Sequence, residues 1–275
     1  MKLKDYMKGR LSEDERKLLP RAFDIIGDIA IIEIPAGLRK KRKDIAKALK
    51  AMHPRLKTVC NKTGERAGEY RLPSLELLLG KETLTEHREH GCRFRVDVRD
   101  AYFSGREATE RQRVAAQVRP GERVLTMFSG VCPSPIIISK AQPGIEKAVG
   151  VELNPKAHAL ALENIRLNRA YGKVEAYCGD VREVCPKLGM RFDRIIMPLP
   201  KGAHEFLDVA FDVAKEGAVI HFYHWDREDD PFTGALRIVK AEARKAGRKV
   251  RVLGKHLVLP YGPRVWKICI EFRVS

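Results

Sequence analysis

Several common markers of function are absent from this sequence of 275 residues. No stretch approaches the roughly 20 apolar residues that a membrane-spanning helix needs. The first ten residues alternate charged and apolar side chains, which is not the pattern of a secretory signal peptide. No cluster of histidines and carboxylates has the spacing of metal ligands. We therefore expect a cytoplasmic protein that uses neither a membrane nor a metal.

The cysteines also lack a recognisable pattern. None of the six forms a Cys-x-x-Cys pair, and no histidine lies at zinc-finger spacing from them. Most of them lie in apolar segments, where a free thiol behaves as a small apolar side chain. We interpret them as core residues rather than as zinc ligands or disulfides. They are Cys60, Cys92, Cys132, Cys178, Cys185 and Cys269.

Acidic residues are too few to balance the basic ones. The chain has 53 Lys and Arg against 36 Asp and Glu, a net charge of +17. Such an excess attracts polyanions, of which nucleic acid is the first candidate and an anionic membrane the second. Five consecutive cations stand at Arg39–Lys43, and six more lie between Arg237 and Lys249. We expect RNA contact above all at the first run; the alternative is a solvated, thermophile-like surface.

The first part of the chain has mixed strand and helix patterns. Residues 1–20 are polar and predict a lead-in helix. Phe23–Ile34 predicts a strand pair or one bent strand, and Lys41–Met52 has an apolar stripe at helical spacing. Cys92–Val98 alternates strictly between apolar and polar residues, as a half-buried strand does. Together these patterns predict a small α+β domain over residues 21–105 that faces RNA.

Strands and helices alternate over residues 106–275. This order predicts an α/β domain with a parallel sheet and right-handed crossovers. Gly217 is a plausible stop for a helix that begins near His204. Two late strands, Val250–Leu259 and Val265–Val274, are separated only by a short turn and predict an antiparallel edge.

The turn after the first strand of this domain has small residues. The segment runs Phe128, Ser129, Gly130, Val131, and Cys132 holds the place of a second glycine. A small-residue turn at this point lets backbone N–H groups approach a nucleotide-like ligand. The alternative is a tight strand-to-helix turn without a ligand.

Polar or rigid residues close the next three strands. Glu152 ends the second strand 22 residues after Gly130, where a carboxylate grips a ribose diol. Asp180 follows the third strand and can accept from an adenine amino group. Pro198 follows the fourth strand, where a rigid segment would frame a bound ligand and the group that reacts with it. The alternatives are a capping or solvated glutamate, a solvated loop aspartate and a proline that ends a buried strand.

In this order the segments resemble the archaeal tRNA (guanine-37 N1)-methyltransferase family, including its wyosine-pathway branches. The resemblance extends from about Leu19 to the C-terminus. The segments that carry it are LPRAFDIIGDIAIIEIP, DAYFSGREATERQRV, MFSGVCP, VELNP, ENIRLN, DVREV, LPKGAHEFLDVA, GAVIHFY and YGPRVW.

The resemblance implies a Rossmann-like class I methyltransferase domain that binds S-adenosylmethionine. The family transfers a methyl to N1 of the purine beside the anticodon, so tRNA through its anticodon stem-loop is the implied partner. N1 of guanine carries a proton, which a general base must remove. The family's base is a glutamate at the position of Glu110. The alternative for Glu110 is a helix-surface partner of Arg106 or Arg113.

The resemblance also assigns the remaining site residues. Arg71 takes the place of the arginine that stabilises negative charge on the guanine oxygen. The residues implied for the cofactor are Phe128, Ser129, Gly130, Val131, Glu152, Leu153, Asp180, Val181 and Pro198. Those implied for the target base are Tyr102, Arg106, Pro200 and Lys201.

The sequence departs from the family pattern at several positions. Thr126 stands for an aspartate, Cys132 for a glycine, Ser134 for an aromatic residue, and Pro198 for an asparagine that orients the target base. Proline cannot supply the hydrogen bonds of that asparagine. The family's small N-terminal domain, which grips the tRNA elbow, is also expected to be lacking. Two alternatives therefore stay open: an aminocarboxypropyltransferase of wyosine synthesis, and a non-catalytic tRNA-binding homologue.

Overall fold

The computed structural model describes residues 2–64, 68–70, 72–199 and 201–275. Contacts divide the chain into two compact units, Met1–Gly105 and Arg106–Ser275. Each unit is built around its own cluster of buried apolar side chains.

The first unit is an α+β structure with two small sheets. Strands β1 and β2 form an antiparallel hairpin, β2 pairs in parallel with β3, and β4 pairs antiparallel with β3; β5 and β6 form a separate antiparallel pair. The helices are α1 (Leu3–Tyr6), α2 (Glu13–Lys17) and α3 (Arg42–Met52), with a 3₁₀ helix at Ala36–Lys41. The strands are β1 (Asp24–Ile26), β2 (Ile29–Ile32), β3 (Thr58–Lys62), β4 (Leu75–Leu79), β5 (Leu84–Glu89) and β6 (Cys92–Asp97).

The N-terminal segment differs from the predicted lead-in helix. It forms the two short helices α1 and α2 instead of one. Leu3, Met7 and Leu11 are buried in the same cluster as the apolar face of α3. These three residues recur every four positions, which places them on one side of the segment. The segment is therefore part of the core of the first unit.

Patterns in the first unit had unequal predictive value. The stripe of α3 is buried at Ile45 and Leu49, and β6 alternates buried and exposed residues as its sequence does. Strand β4, with the sequence LELLL, was not predicted, because every side chain in it is half-buried and no alternation marks it.

The second unit is a seven-stranded sheet with helices between its strands. A 3₁₀ helix at Gly105–Glu107 precedes the first α-helix, and another lies at Ala203–Phe206. The helices are α4 (Ala108–Ala115), α5 (Pro133–Ala141), α6 (Pro155–Leu167), α7 (Val181–Lys187), α8 (Leu207–Val213) and α9 (Thr233–Lys245). The strands are β7 (Arg123–Met127), β8 (Lys147–Glu152), β9 (Val174–Cys178), β10 (Phe192–Met197), β11 (Ala214–Arg227), β12 (Val250–Gly262) and β13 (Val265–Val274).

The strand order of this sheet is β12-β13-β11-β10-β7-β8-β9. Strands β7 to β11 are parallel, and β13 pairs antiparallel with both β11 and β12. The Rossmann-like fold with an antiparallel edge is thus confirmed. The chain order reverses between β7 and β10, which creates a crevice at the carboxyl ends of these strands, where open α/β sheets bind ligands.

The helix stop predicted at Gly217 is wrong. Helix α8 ends at Val213, and β11 begins at the next residue, Ala214. The pairing of β10 with β11 is irregular between Phe192 and Arg194, so β11 carries extra residues there. Gly217 lies in this irregular stretch with φ 80°, a conformation that favours glycine. The glycine therefore serves a strand irregularity and not a helix end.

A buried arginine joins the sheet to the segment before β7. Arg194 donates to Glu122 Oε2 at 2.9 Å and to the carbonyl oxygen of Gln117 at 3.0 Å. Its Nη1 lies 2.8 Å from Nε2 of His221. Burial, together with the charge of Arg194, lowers the pKa of His221 well below 6.5, so the ring is neutral at physiological pH and accepts this hydrogen bond.

Replacing Arg194 with methionine should lower the free energy of unfolding by about 3–5 kcal/mol, because it leaves the Glu122 carboxylate enclosed without its partner. Urea denaturation measures the change. The double variant Arg194→Met/Glu122→Gln removes both charges and should recover most of the loss. A single variant within about 0.5 kcal/mol of the parent would contradict this role.

Candidate active site

The predicted cofactor residues gather at one edge of the parallel sheet. The small-residue turn at 128–131 follows β7, Glu152 ends β8, Asp180 follows β9, and Pro198 follows β10. These strands are parallel neighbours, so their carboxyl ends lie side by side. The turn and the acids thus line one crevice of the second unit.

The turn after β7 has an unusual backbone. Phe128, Gly130 and Cys132 have φ of 54°, 56° and 67°, all in the left-handed region. For residues other than glycine this conformation costs roughly 1–2 kcal/mol each. Cys132, at the family's glycine position, therefore adopts the conformation that a glycine there would favour. The result is a tight turn that leads directly into α5 at Pro133.

Gly150 lets this turn pack closely against β8. A Cβ atom on Gly150 would lie 2.8 Å from Oγ of Ser129 and 3.0 Å from Sγ of Cys132. Such distances leave no room for any other residue without a shift of the turn. The sequence analysis did not single out Gly150, although a glycine inside a strand often marks a close approach of backbone.

Glu152 is fixed by backbone amides. Its Oε2 accepts from the N–H of Gly130 at 2.7 Å, and its Oε1 accepts from the N–H of Asn154 at 2.8 Å. A carboxylate oxygen can accept a second donor, so both oxygens retain a site for a hydroxyl group. Burial raises the pKa of Glu152 above 4.5, and hydrogen bonds from Asn154, Gly130 and Leu153 oppose that shift.

Binding of S-adenosylmethionine should weaken on acidification at a higher pH than for an ordinary glutamate. The ionised carboxylate is the form predicted to accept from the ribose, so affinity should be full above the raised pKa and be lost as pH falls through it. The loss should approach about tenfold per pH unit. For the ligand-free fold the sign is opposite, because the raised pKa favours the protonated form in acid.

Calorimetric titration from neutral pH down through the ordinary glutamate pKa of about 4.3 measures this dependence. The variant Glu152→Gln has no such proton and should show weaker, nearly pH-independent binding. The same acid dependence in that variant would assign the titration to another group.

The remaining cofactor positions differ in exposure. Asp180 is the N-cap residue of α7: one of its oxygens accepts from the N–H of Arg182 at 2.8 Å. Its second oxygen can accept from a ligand. Val131 and Val181 are buried, and Leu153 is half-buried. The hydroxyl groups of Thr126 and Ser129 are buried without a hydrogen-bond partner in the described part of the chain. Unpaired hydroxyls beside a glycine turn fit a polar ligand such as the cofactor.

A second pocket lies next to this crevice, within the second unit. It extends from α4 across the start of α5 to the ends of β10 and β11. Its lining residues are Glu107, Glu110, Arg111, Val114, Ser134, Ile138, Ile196, Pro198 and Tyr223. Pro198 is therefore next to Glu110, the predicted general base.

Three hydrogen bonds hold the Glu110 carboxylate. Arg113 donates to both of its oxygens, from Nε to Oε2 and from Nη2 to Oε1, each at 2.7 Å. The hydroxyl of Tyr223 donates to Oε1 at 2.6 Å. The side chain of Glu110 is only 11% exposed. The ion pair with Arg113 expected of a helix-surface residue is thus present, but it lies inside a pocket.

These contacts make the two oxygens of Glu110 unequal. Oε1 accepts two hydrogen bonds and Oε2 accepts one. Burial raises the pKa of Tyr223 well above 10, so its phenol stays protonated and donates. The free acceptor site of Glu110 is therefore on Oε2, which is the atom suited to receive a proton.

Sequence reasoning missed Tyr223 and the bidentate geometry of Arg113. Tyr223 lies in β11 within GAVIHFY, a segment that supported the family resemblance but in which no residue was assigned a role. Arg113 also donates to Glu271 Oε2 at 3.1 Å on β13. Nothing local in the sequence marks these contacts, because they depend on the pairing of β11 with β13.

The residues predicted for the target base come from both units. Tyr102 belongs to the first unit and is 38% exposed, whereas Arg106 begins the second unit and is exposed. Lys201 is exposed in a turn after β10. Arg71 and Pro200 lie outside the described residues.

The cysteines differ in burial. All six cysteines are free thiols; five are buried, and Cys178 is exposed at the end of β9, so its interpretation as a core residue is wrong.

Within residues 2–64, 68–70, 72–199 and 201–275, no three His, Cys, Asp or Glu side chains are grouped as metal ligands. No helix in the described ranges has the length and apolarity required to cross a membrane.

Fold and site together define a class of protein. A parallel sheet with one antiparallel strand inserted next to its edge, here β13 between β11 and β12, is the class I arrangement. A glycine turn after the first strand and an acid at the end of the next strand are the features expected of its cofactor site. The second unit is a class I methyltransferase domain, and S-adenosylmethionine is its cofactor.

The chain belongs to the TRM5/TYW2 methyltransferase family. The profile of the TRM5/TYW2 methyltransferase domain matches residues 85–253. The profile of the TYW2 N-terminal domain matches residues 3–83, so the similarity begins before the position near Leu19 where the motifs were first recognised.

Similar proteins include several archaeal enzymes of known name. The tRNA (guanine(37)-N(1))-methyltransferase Trm5b of Pyrococcus abyssi is 43% identical over 96% of this chain and 78% of its own length. The tRNA(Phe) (4-demethylwyosine(37)-C(7)) aminocarboxypropyltransferase of Pyrococcus horikoshii is 32% identical over 99% of this chain and 96% of its own. The structure of the complex of aTrm5 and tRNALeu has a TM-score of 0.87 and 32% identity, covering 100% of this chain and 78% of that one.

Proposed function

We propose that this protein is a tRNA methyltransferase that transfers a methyl from S-adenosylmethionine to N1 of guanosine 37, beside the anticodon. The observation that carries the proposal is the Glu110 carboxylate, which is oriented by three donors and keeps a free acceptor site on Oε2. The 43% identity to a relative named for this reaction supports the same substrate. We also propose a cytoplasmic location, which the proposed tRNA substrate supports.

The residues of the second unit divide the work between binding and proton transfer. The cofactor, when bound, supplies an electrophilic methyl group. Glu152 holds its ribose through two hydroxyl groups, Asp180 accepts from its adenine, and the turn at 128–131 lines its methionine. Oε2 of Glu110 removes the proton from N1 of the base, and Arg113 and Tyr223 keep that carboxylate in place.

The tRNA is held through its anticodon stem-loop. Tyr102, Arg106, Pro200 and Lys201 are the residues proposed to border the target base, and Arg71 is proposed to stabilise negative charge on the guanine oxygen. The cations of Arg39–Lys43 support contact with the phosphate backbone, since Arg39, Lys40 and Lys43 are exposed.

A second candidate function is transfer of the aminocarboxypropyl group of the same cofactor to a wyosine precursor. Two observations favour it: the TYW2 N-terminal profile matches residues 3–83, and Pro198 stands where methyltransferases of the family have asparagine. The bidentate support of Glu110 favours methyl transfer, because that reaction must remove the N1 proton.

Nucleoside analysis separates these functions. Undermodified tRNA is incubated with methyl-labelled S-adenosylmethionine, digested and examined by mass spectrometry. N1-methylguanosine at position 37, roughly 14 mass units heavier than guanosine, supports the proposal. A product roughly 101 units heavier than its precursor identifies aminocarboxypropyl transfer. Cofactor binding with neither product would identify a non-catalytic homologue.

A further inference from the structure

A buried lysine lies beneath the pocket that contains Glu110. The side chain of Lys267, on β13, is only 3% exposed. Its Nζ lies 2.9 Å from Oε1 of Glu107 and donates to the carbonyl oxygen of Pro198 at 3.2 Å. The same ammonium lies 5.0 Å from the centre of the Tyr223 ring. Carboxylate, carbonyl and ring face thus surround one buried cation.

These partners belong to three different elements of the proposed active site. Glu107 is the N-cap residue of α4, one turn before Glu110. Pro198 is the first residue after β10, and Tyr223 is the residue of β11 that donates to Glu110. Lys267 therefore connects the helix that carries the proposed base to the segment that borders the target base.

The contact with Pro198 has a specific chemical reason. Proline has no N–H and no polar side-chain atom, so its carbonyl oxygen is the polar group that position 198 offers. A lysine donates through a tetrahedral ammonium, which can serve that carbonyl and Glu107 at once. The direction of the Pro198 carbonyl, and with it the path of the chain into Leu199, is set by this hydrogen bond.

We propose that Lys267 is a positioning residue for methyl transfer: it holds the Pro198–Leu199 segment against the Glu110 pocket. This inference rests on the proposed function and adds a residue to it. A displacement of about 1 Å at a reacting group can cost about 10²-fold in rate. Loss of the Lys267 hydrogen bond should therefore slow transfer with little effect on cofactor binding, because Pro198 is only one of the positions predicted for the cofactor and the others lie at the ends of β7, β8 and β9.

A simpler role has to be separated from this one. Lys267 could serve only to neutralise Glu107, and the single variant Lys267→Met would then fail by removing the cation that faces a buried carboxylate. The double variant Lys267→Met/Glu107→Gln removes both charges with side chains of similar size. If charge neutralisation is the whole role, this variant regains the parent rate. If Lys267 positions Pro198, the variant folds but stays slow.

The matched control removes an ion pair between a lysine and an aspartate at the start of β10, the end of the strand opposite Pro198. Lys215 contacts Asp193 at 2.8 Å near the start of that strand, whereas Pro198 follows its last residue. The variant Lys215→Met/Asp193→Asn therefore controls for the loss of an ion pair on the same strand. Its transfer rate should equal that of the parent protein.

Single-turnover methyl transfer to a guanosine-37 tRNA transcript is measured for all four proteins, together with S-adenosylmethionine affinity by calorimetry and the melting temperature. For Lys267→Met/Glu107→Gln we expect about a 10²-fold slower transfer step, cofactor affinity within about twofold and a melting temperature close to that of the control. A rate within about threefold of the parent, in a folded double variant, would overturn the positioning role.

Amide hydrogen exchange provides a readout that does not depend on catalysis. Leu199 and residues 201–207 should exchange faster in Lys267→Met/Glu107→Gln and unchanged in the control. If the parent protein makes no N1-methylguanosine, the proposed function fails, but the exchange measurement still tests Lys267. Faster exchange in the double variant would support a positioning contact between Lys267 and this segment. Unchanged exchange would refute it.

Discussion

Replacing Glu110 with glutamine should slow single-turnover methyl transfer by about 10²–10⁴-fold. The amide has nearly the same shape, and its oxygen can still accept from Tyr223 and from Nη2 of Arg113, although its NH₂ group cannot accept from Nε of Arg113. It cannot take the N1 proton, because the free acceptor site that the carboxylate has on Oε2 is lost. Binding of S-adenosylmethionine should stay within about twofold, since Glu110 lies outside the cofactor cradle.

The measurement is rapid-quench transfer with enzyme in excess over tRNA, so that product release does not mask the chemical step. A matched control is Glu242→Gln on α9, an acid that pairs with Lys245 on a helix face. The control should transfer at the parent rate. Equal rates for Glu110→Gln and its parent would eliminate the general-base role of Glu110.

The second large effect is expected for Glu152→Ala. Its carboxylate is proposed to accept from two ribose hydroxyls, and each hydrogen bond to a charged group contributes about 1.5–3 kcal/mol. The N–H groups of Gly130 and Asn154 also lose their acceptor, which loosens the turn after β7. We therefore expect the Kd for S-adenosylmethionine to rise by at least about 10²-fold.

Isothermal calorimetry measures this Kd, and the melting temperature tests whether the variant is folded. The control is Glu146→Ala, since Glu146 is next to the start of β8 and pairs with Arg123, away from the end of that strand where Glu152 lies. Only the variant at the carboxyl end should lose affinity. Unchanged binding by Glu152→Ala would remove the ribose assignment.

The fold of the second unit was predictable because its signals are local. Strands of β-branched residues alternate with helices, and each strand is followed by a turn with a recognisable residue, such as Gly130 or Glu152. Their spacing in the sequence translates directly into adjacent strand ends, since the strands are parallel neighbours. The ordered motifs then added the family and, through it, Glu110.

The supports of Glu110 were not predictable from the sequence. Tyr223 and Lys267 are ordinary strand residues until the register of β11 and β13 places both beside α4. Gly217 misled for a related reason, because a glycine in an irregular strand has the same local signal as one at a helix end. Contacts between residues on distant strands depend on the pairing of strands in the assembled sheet and not on any short segment of sequence.

Because β13, the last strand of the chain, pairs between β11 and β12, the two parts of the proposed site form at different stages of folding. The link between Gly130 and Glu152 closes a loop of 22 residues, whereas that between Arg113 and Glu271 spans 158. Closing long loops costs more chain entropy, and such contacts form late in folding. The proposed cofactor cradle is therefore a short-range structure, and the contact of Arg113 with β13 exists only once the last strand has inserted into the sheet.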